Sequence, residues 1–467
     1  MDRITTGIDT LDELLQGGIP EGATVLLSGR PGSGKTIMAH QMMFANASPD
    51  FKVIHLSTLS EPQVKILRFQ QQFEYFDMSK FQRHVVYHDL GYIIRGQGPA
   101  QALAAISELL KEHQPRLLVV DTVKVMADII PSFIELREFL LDLSVRVATW
   151  GCTILLVGEY CEEEIDLRPE SAIADGIIYL SGTQEKKQQK RFLRVLKMRG
   201  TCHVGGENLF QIGSKGVQMF PRLNPVVGEQ SYQTQFSQRV STGIAALDDM
   251  MSGGLPSGTT TLLSGSSGTG KTVLAVHYTR AALEAGGAAV YVSYEENPRQ
   301  LLQTGESLGI PLADYQQDGR LKLLHTSPME LDVDEHIFRV QRLVTDLDAS
   351  ALVIDSISSF EVGMKNKEKY TDYIWALTDY FKVQGVNVLL THEIHDGATP
   401  AHLTKHGISY VADNLLLLRF LQEGWDMKRY VRIVKMRGSY HDTQLRELVF
   451  SPGGISLGDL PGVDARD

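Results

Sequence analysis

Two eight-residue stretches carry the plainest chemistry in this chain. They are Gly29-Arg30-Pro31-Gly32-Ser33-Gly34-Lys35-Thr36 and Gly265-Ser266-Ser267-Gly268-Thr269-Gly270-Lys271-Thr272. Both satisfy G-x-x-x-x-G-K-[ST], the pattern of a phosphate-binding loop. Glycines let successive backbone N–H groups turn toward a phosphate with no Cβ in the way, and a helix N-terminus adds a favourable field. Lys35 and Lys271 are spaced to reach the β- and γ-phosphates of ATP, and Thr36 and Thr272 to hold Mg²⁺ through their hydroxyls. The bland alternative, a glycine-rich turn that happens to precede a lysine, is weakened by its occurring twice.

Asp121 and Asp355 each end an apolar run, Leu117 to Asp121 and Leu352 to Asp355, as does the aspartate that orders the metal's water shell in P-loop enzymes. An aspartate that merely opens a turn is the alternative, which repetition at the same distance from a phosphate loop disfavours. Glu295 and Glu296 follow the run Tyr291-Val292-Ser293. Two carboxylates just past a strand would face the γ-phosphate, one taking a proton from the attacking group and the other orienting it or supporting the metal. Two solvated acids at a helix start explain these residues equally well. In the first copy Leu59 and Ser60 stand in their place and Glu61 comes one residue late, opposite Asn297. That copy is expected to bind ATP but to be poorly equipped to hydrolyse it.

The elements that position these residues form a tandem repeat. Lys35 answers Lys271 at an offset of 236, Asp121 answers Asp355 at 234, and Lys197-Met198-Arg199-Gly200 answers Lys435-Met436-Arg437-Gly438 at 238. Landmarks that hold register over so long a stretch mean two domains, expected at 1–222 and 239–467 and joined by a polar linker at 223–238. Each copy alternates continuous apolar strands with helices. The strands are expected at 23–28, 53–56, 117–121 and 153–158, and again at 259–264, 289–293, 352–355 and 387–391. That pattern predicts an α/β fold with a mostly parallel sheet covered on both faces and ligands beyond the carboxyl ends of its strands.

Composition narrows the class. The chain has 467 residues, 45 basic and 56 acidic, for a net charge of −11. The acidic balance argues against a charge-driven grip on nucleic acid. No apolar run is long enough to span a bilayer, and the N-terminal residues are too charged for a signal peptide. The three cysteines, Cys152, Cys161 and Cys202, show no zinc spacing, so a reducing cytoplasm is expected. The acidic run at 162–164 is expected to be a solvated loop, and the lysine-rich stretch at 185–191 an exposed hairpin turn.

The duplicated Thr-Gly, Leu-Asp and Gly-Gly landmarks before each phosphate loop, the Tyr294-Glu295-Glu296-Asn297-Pro298 segment and the two K-x-R-G segments together resemble the KaiC family, within the RecA-like P-loop superfamily. The resemblance covers nearly the whole chain. It implies two RecA-like domains, ATP and Mg²⁺ as cofactors, and a homo-oligomeric ring of six with ATP between neighbouring subunits. It also implies that Lys197, Arg199, Lys435 and Arg437 reach a neighbour's nucleotide. His203 and His441, which follow those segments, are candidate nucleotide-interface contacts. By the same resemblance the nucleotide-binding set is Gly29, Gly32, Ser33, Gly34, Lys35 and Thr36, with Gly265, Ser267, Gly268, Thr269, Gly270, Lys271 and Thr272. The metal set is Thr36, Asp121, Thr272, Asp355 and Glu296, and the catalytic set is Glu295, Glu296, Lys271, Lys435 and Arg437. The family's phosphorylated serine–threonine pair falls on Ser409 and Tyr410, so serine autophosphorylation is expected at Ser409 and not at Tyr410. A KaiB-like partner is compatible with the resemblance. A KaiA-type partner is not expected, because the chain stops soon after the last predicted strand. Two other readings stay open: a RecA-like DNA-handling ATPase, and a nucleotide-sensing scaffold with negligible turnover.

Overall fold

The computed structural model describes residues 2–58, 63–130, 132–185, 188–203, 205–222, 234–327, 332–359, 367–394, 408–451 and 454–458. The chain divides into two compact units, Met1–Arg222 and Leu223–Asp467. Each is built on a nine-stranded sheet.

In the first unit the strand Thr24–Gly29 lies between Thr153–Gly158 and Gly176–Glu185, parallel to both. Leu117–Asp121, Val53–Ser57 and Val85–Asp89 continue the parallel run on one side. On the other side Gln188–Met198, Asn208–Gly213 and Gly216–Phe220 extend the sheet antiparallel. The second unit repeats this order around Thr260–Gly265. Asn387–Glu393, Ala351–Asp355, Ala289–Ser293 and Leu321–His325 follow on one side, and Asn414–Glu423 is its parallel neighbour on the other. Asp426–Met436, Arg446–Ser451 and Gly454–Leu457 complete it.

The central strands Thr24–Gly29 and Thr260–Gly265 are buried along their whole length. Strands covered on both faces select continuous apolar sequence, and the helices supply the cover. In the first unit one apolar core joins the sheet to the helix Lys35–Asn46, and a second, on the other face, joins it to Pro99–His113 and Phe133–Thr149. The second unit has the same two cores.

Three details differ from the sequence reading. The strands Val85–Asp89 and Leu321–His325 were not anticipated, and Gly176–Glu185 and Asn414–Glu423, beside the central strands, were given no bounds. The strand Gln235–Val240 pairs with Leu255–Ser257, so residues 235–238 of the expected linker are sheet, while 223–233 lie outside the described residues. The acidic run forms the short helix Glu162–Ile165 and not a loop, because Glu164 turns back to accept the Cys161 N–H at 2.9 Å. Among the described residues no helix is long and apolar enough to cross a membrane.

Candidate functional site

Each phosphate loop leaves the carboxyl end of its unit's central strand and runs into a helix, Lys35–Asn46 or Lys271–Glu284. Gly32 and Gly34 have φ of +76° and +104°, and Gly268 and Gly270 have +78° and +101°. Side chains are strained at such angles, so the loop's shape itself demands glycine. A Cβ on Gly34 would lie 2.7 Å from Ile212 Cδ1. Gly29 and Gly265 end the strands; Ser33 and Thr269 are buried, and Ser267 is exposed.

Both lysines fold over their own loops. Lys35 Nζ donates to the Gly29 and Arg30 carbonyls at 2.9 and 3.0 Å, and Lys271 Nζ to those of Gly265 and Ser266, both at 2.9 Å. Burial lowers the pKa of each ammonium. Glu159 and Asp121 oppose this for Lys35, and Glu393, Asp355 and Glu295 do so for Lys271.

The two aspartates that end the strands, Asp121 and Asp355, are held differently. Asp121 Oδ2 accepts the Thr36 hydroxyl at 3.0 Å. Asp355 accepts two buried hydroxyls, Tyr291 OH on Oδ2 at 2.8 Å and Thr391 Oγ1 on Oδ1 at 2.5 Å. Thr272, Asp355, Lys271, Glu295 and Glu393 line one cavity of about 410 Å³ in the second unit. A threonine hydroxyl and a carboxylate beside a glycine cradle fit a nucleotide with Mg²⁺, a hard cation that takes oxygen ligands and keeps much of its water.

The paired glutamates separate. Glu295 lines this cavity, whereas Glu296 does not; the Glu296 backbone N–H donates to Ser293 Oγ at 3.1 Å. Burial first, then the charge of Asp355, raises the pKa of both; Glu393 adds to it for Glu295, and Glu295 does so for Glu296. Their counterparts Leu59, Ser60 and Glu61 lie outside the described residues.

The K-x-R-G residues sit at the other end of the sheet from their own phosphate loop. Lys197 Nζ donates to the Ala174 carbonyl at 2.6 Å, and Arg199 pairs with Asp175 at 3.2 Å. Lys435 donates to the Ala412 carbonyl at 2.7 Å, and Arg437 pairs with Asp413 at 3.5 Å. The Asp413 N–H binds the Thr260 carbonyl at 2.8 Å, at the first residue of the strand that ends in Gly265. The five steps along this six-residue strand, at ~3.3 Å each, put roughly 17 Å between its two ends. His203 and His441 each keep a buried Nδ1 without a hydrogen-bond partner. Ser409 falls in the short helix Ile408–Val411, with its side chain outside the described residues; Tyr410 is exposed, and its carbonyl accepts Arg437 Nη2 at 3.3 Å.

Four site residues escaped the sequence reading. Glu159 and Glu393 each follow or end the strand beside the central one, at the repeat offset (393 − 159 = 234), which a closer alignment of the copies would have flagged. Arg429 Nε donates to the Gly268 carbonyl at 3.0 Å, and its guanidinium lies over the rings of Phe420 and Phe450. Arg429 and Phe450 wall the cavity beside the phosphate loop. Nothing in their local sequence signals that place.

Fold and site together define a P-loop ATPase with two tandem RecA-like domains. The chain belongs to the KaiC family: the model described as "ATPase: KaiC" matches residues 4–224 and again 240–461. Curated relatives include "Circadian clock oscillator protein KaiC" of Picosynechococcus sp., 26% identical over 98% of this chain and 90% of its own length. The protein of the same name from Acaryochloris marina is 27% identical over 97% and 88%. "Circadian clock oscillator protein KaiC 1" of Synechocystis sp. is 27% identical over 98% and 89%.

Proposed function

We propose that the second unit hydrolyses Mg²⁺-bound ATP and phosphorylates Ser409, that the first unit serves nucleotide binding and assembly, and that copies of the chain form a head-to-tail ring, a hexamer by family likeness. The relatives' names call them circadian clock oscillator proteins; we infer a clock or related signalling role for this chain, with a KaiB-like protein as the partner class that fits it. The observation that carries the hydrolytic reading is Glu295 in one cavity with Lys271, Thr272, Asp355 and Glu393.

Mg²⁺, when bound, neutralises charge on the β- and γ-phosphates. The residues' own parts follow from their chemistry. Lys271 exchanges two loop carbonyls for phosphate oxygens, and Thr272 and Asp355 hold the metal and its waters. Glu295, whose raised pKa makes it a better base than an ordinary glutamate, takes the proton from the attacking water or from the Ser409 hydroxyl. Glu296 supports the loop from which Glu295 projects. Lys435 and Arg437, with Lys197 and Arg199 in the first unit, stabilise charge on the nucleotide of a neighbouring copy. The separation of these cations from their own phosphate loops supports that trans arrangement.

The test uses γ-labelled ATP with Mg²⁺, counting released phosphate and protein-bound label in one tube, with Lys271→Ala as the blank. Glu295→Gln should slow release by roughly 10²- to 10⁴-fold, and Ser409→Ala should abolish the label. Release without label would remove the autokinase part. Neither release nor label, with ATP retained, would leave a nucleotide-sensing scaffold.

A further inference from the structure

Asp355 lies on a strand flanked by two others, and each neighbour sends it a hydroxyl. Tyr291, on Ala289–Ser293, is two residues before Ser293, which pairs with Asp355. On the other side Leu390 pairs with Ile354, so Thr391 follows at the level of Asp355. Tyr291, Thr391 and Asp355 are all buried, at 1%, 0% and 7% exposure. Both carboxylate oxygens therefore accept a hydrogen bond from a group that packing holds still.

The first unit has the same backbone register and different side chains. Ser57 pairs with Asp121, and two residues before it stands His55; across the other edge Asp121 pairs with Val157. Both hydroxyls are thus replaced, and the phosphate-loop Thr36 bonds the aspartate directly.

We propose that Tyr291 and Thr391 are positioning residues for the metal aspartate of the second unit, fixing the Asp355 carboxylate toward Mg²⁺ in a way the first unit does not share. The inference rests on the reading of this cavity as a Mg²⁺–nucleotide site. A carboxylate held at both oxygens by packed hydroxyls is ordered before the metal and its waters arrive. Outer partners of this kind orient ligands and tune affinity without touching the metal. The two units then differ in metal affinity even where their phosphate loops are alike.

Mn²⁺ is the probe, with ADP present, and bound metal is counted by electron paramagnetic resonance on the full chain. Two classes of site are expected, one per unit, and Thr272→Ala should remove the second unit's class. Tyr291→Phe, which deletes only the hydroxyl, should weaken that class by roughly tenfold and leave the other as it was. Thr391→Val should do the same, while Thr391→Ser should restore most of the loss. If Tyr291→Phe does not fold, the two Thr391 variants carry the test alone. Wild-type affinity in both Tyr291→Phe and Thr391→Val would overturn the inference. A Thr272→Ala variant that keeps both classes of Mn²⁺ site would instead overturn the reading of the cavity itself.

Discussion

Glu393 bears on two groups to which the proposed mechanism gives opposite tasks. Burial and Asp355 do most to raise the pKa of Glu295, and Glu393 adds to them; for Lys271 burial lowers the pKa and Glu393 is the strongest opposing charge. A base must be ionised and a phosphate-gripping lysine protonated. Hydrolysis should therefore rise with pH through a pKa above that of an ordinary glutamate and fall through one below that of an ordinary lysine. Glu393→Gln removes a negative charge from beside both. Each pKa then falls, so both limbs of the pH–rate profile should move toward acid by roughly half a unit to one unit. Movement of one limb alone, or movement toward alkali, would contradict the account. The shift should shrink in high salt, because Glu295 and Glu393 are both exposed and ions screen charges at a surface.

At the scale of elements, the strand–loop–helix turn depends on glycine for two separable reasons. Gly268 needs only its backbone angle, since a Cβ there would meet nothing nearer than the Phe420 ring at 3.8 Å. Gly270 needs the angle and the space, because an added Cβ would collide with the Phe450 ring. Gly268→Ala should cost about 1 kcal/mol from strain, and Gly270→Ala about 2–4 kcal/mol from strain and overpacking together. Urea unfolding of the two variants checks the difference, and equal midpoints would refute it. The same turn shows what sequence could convey. Phosphate loops and central strands were legible because each is a short contiguous signal, a spaced motif or an unbroken apolar run. Val85–Asp89 and Leu321–His325 were not, because edge strands are covered less fully and mix polar with apolar residues. Tyr291 and Thr391 gain meaning only when the sheet sets their strands on either side of Asp355, a relation that no local spacing encodes.

For the molecule as a whole, the decisive geometry is the length of the sheet. Arg437 is tied through Asp413 to Thr260, and Lys271 follows the other end of the strand that Thr260 begins. Side chains do not cross the roughly 17 Å between those ends, so Arg437 does not reach its own unit's phosphate loop, and the proposed assembly gives it a neighbour's. A head-to-tail assembly of identical subunits closes into a ring when the rotation permits. Complementation tests this. Chains with Arg437→Ala keep their phosphate loops but offer no cation to a neighbour, and chains with Lys271→Ala do the reverse. Alone, each should be nearly inactive in the second unit. Mixed in equal amounts and reassembled, a site works when an Arg437→Ala chain supplies the loop and a Lys271→Ala neighbour the arginine. Random mixing makes that roughly a quarter of all sites, so about a quarter of wild-type release should return. A mixture as inactive as its parents, despite exchange of subunits, would mean that the arginine serves no neighbour's nucleotide. Recovery that tracks the mixing ratio, greatest at equal amounts and vanishing toward either parent, is the signature that only a shared site produces.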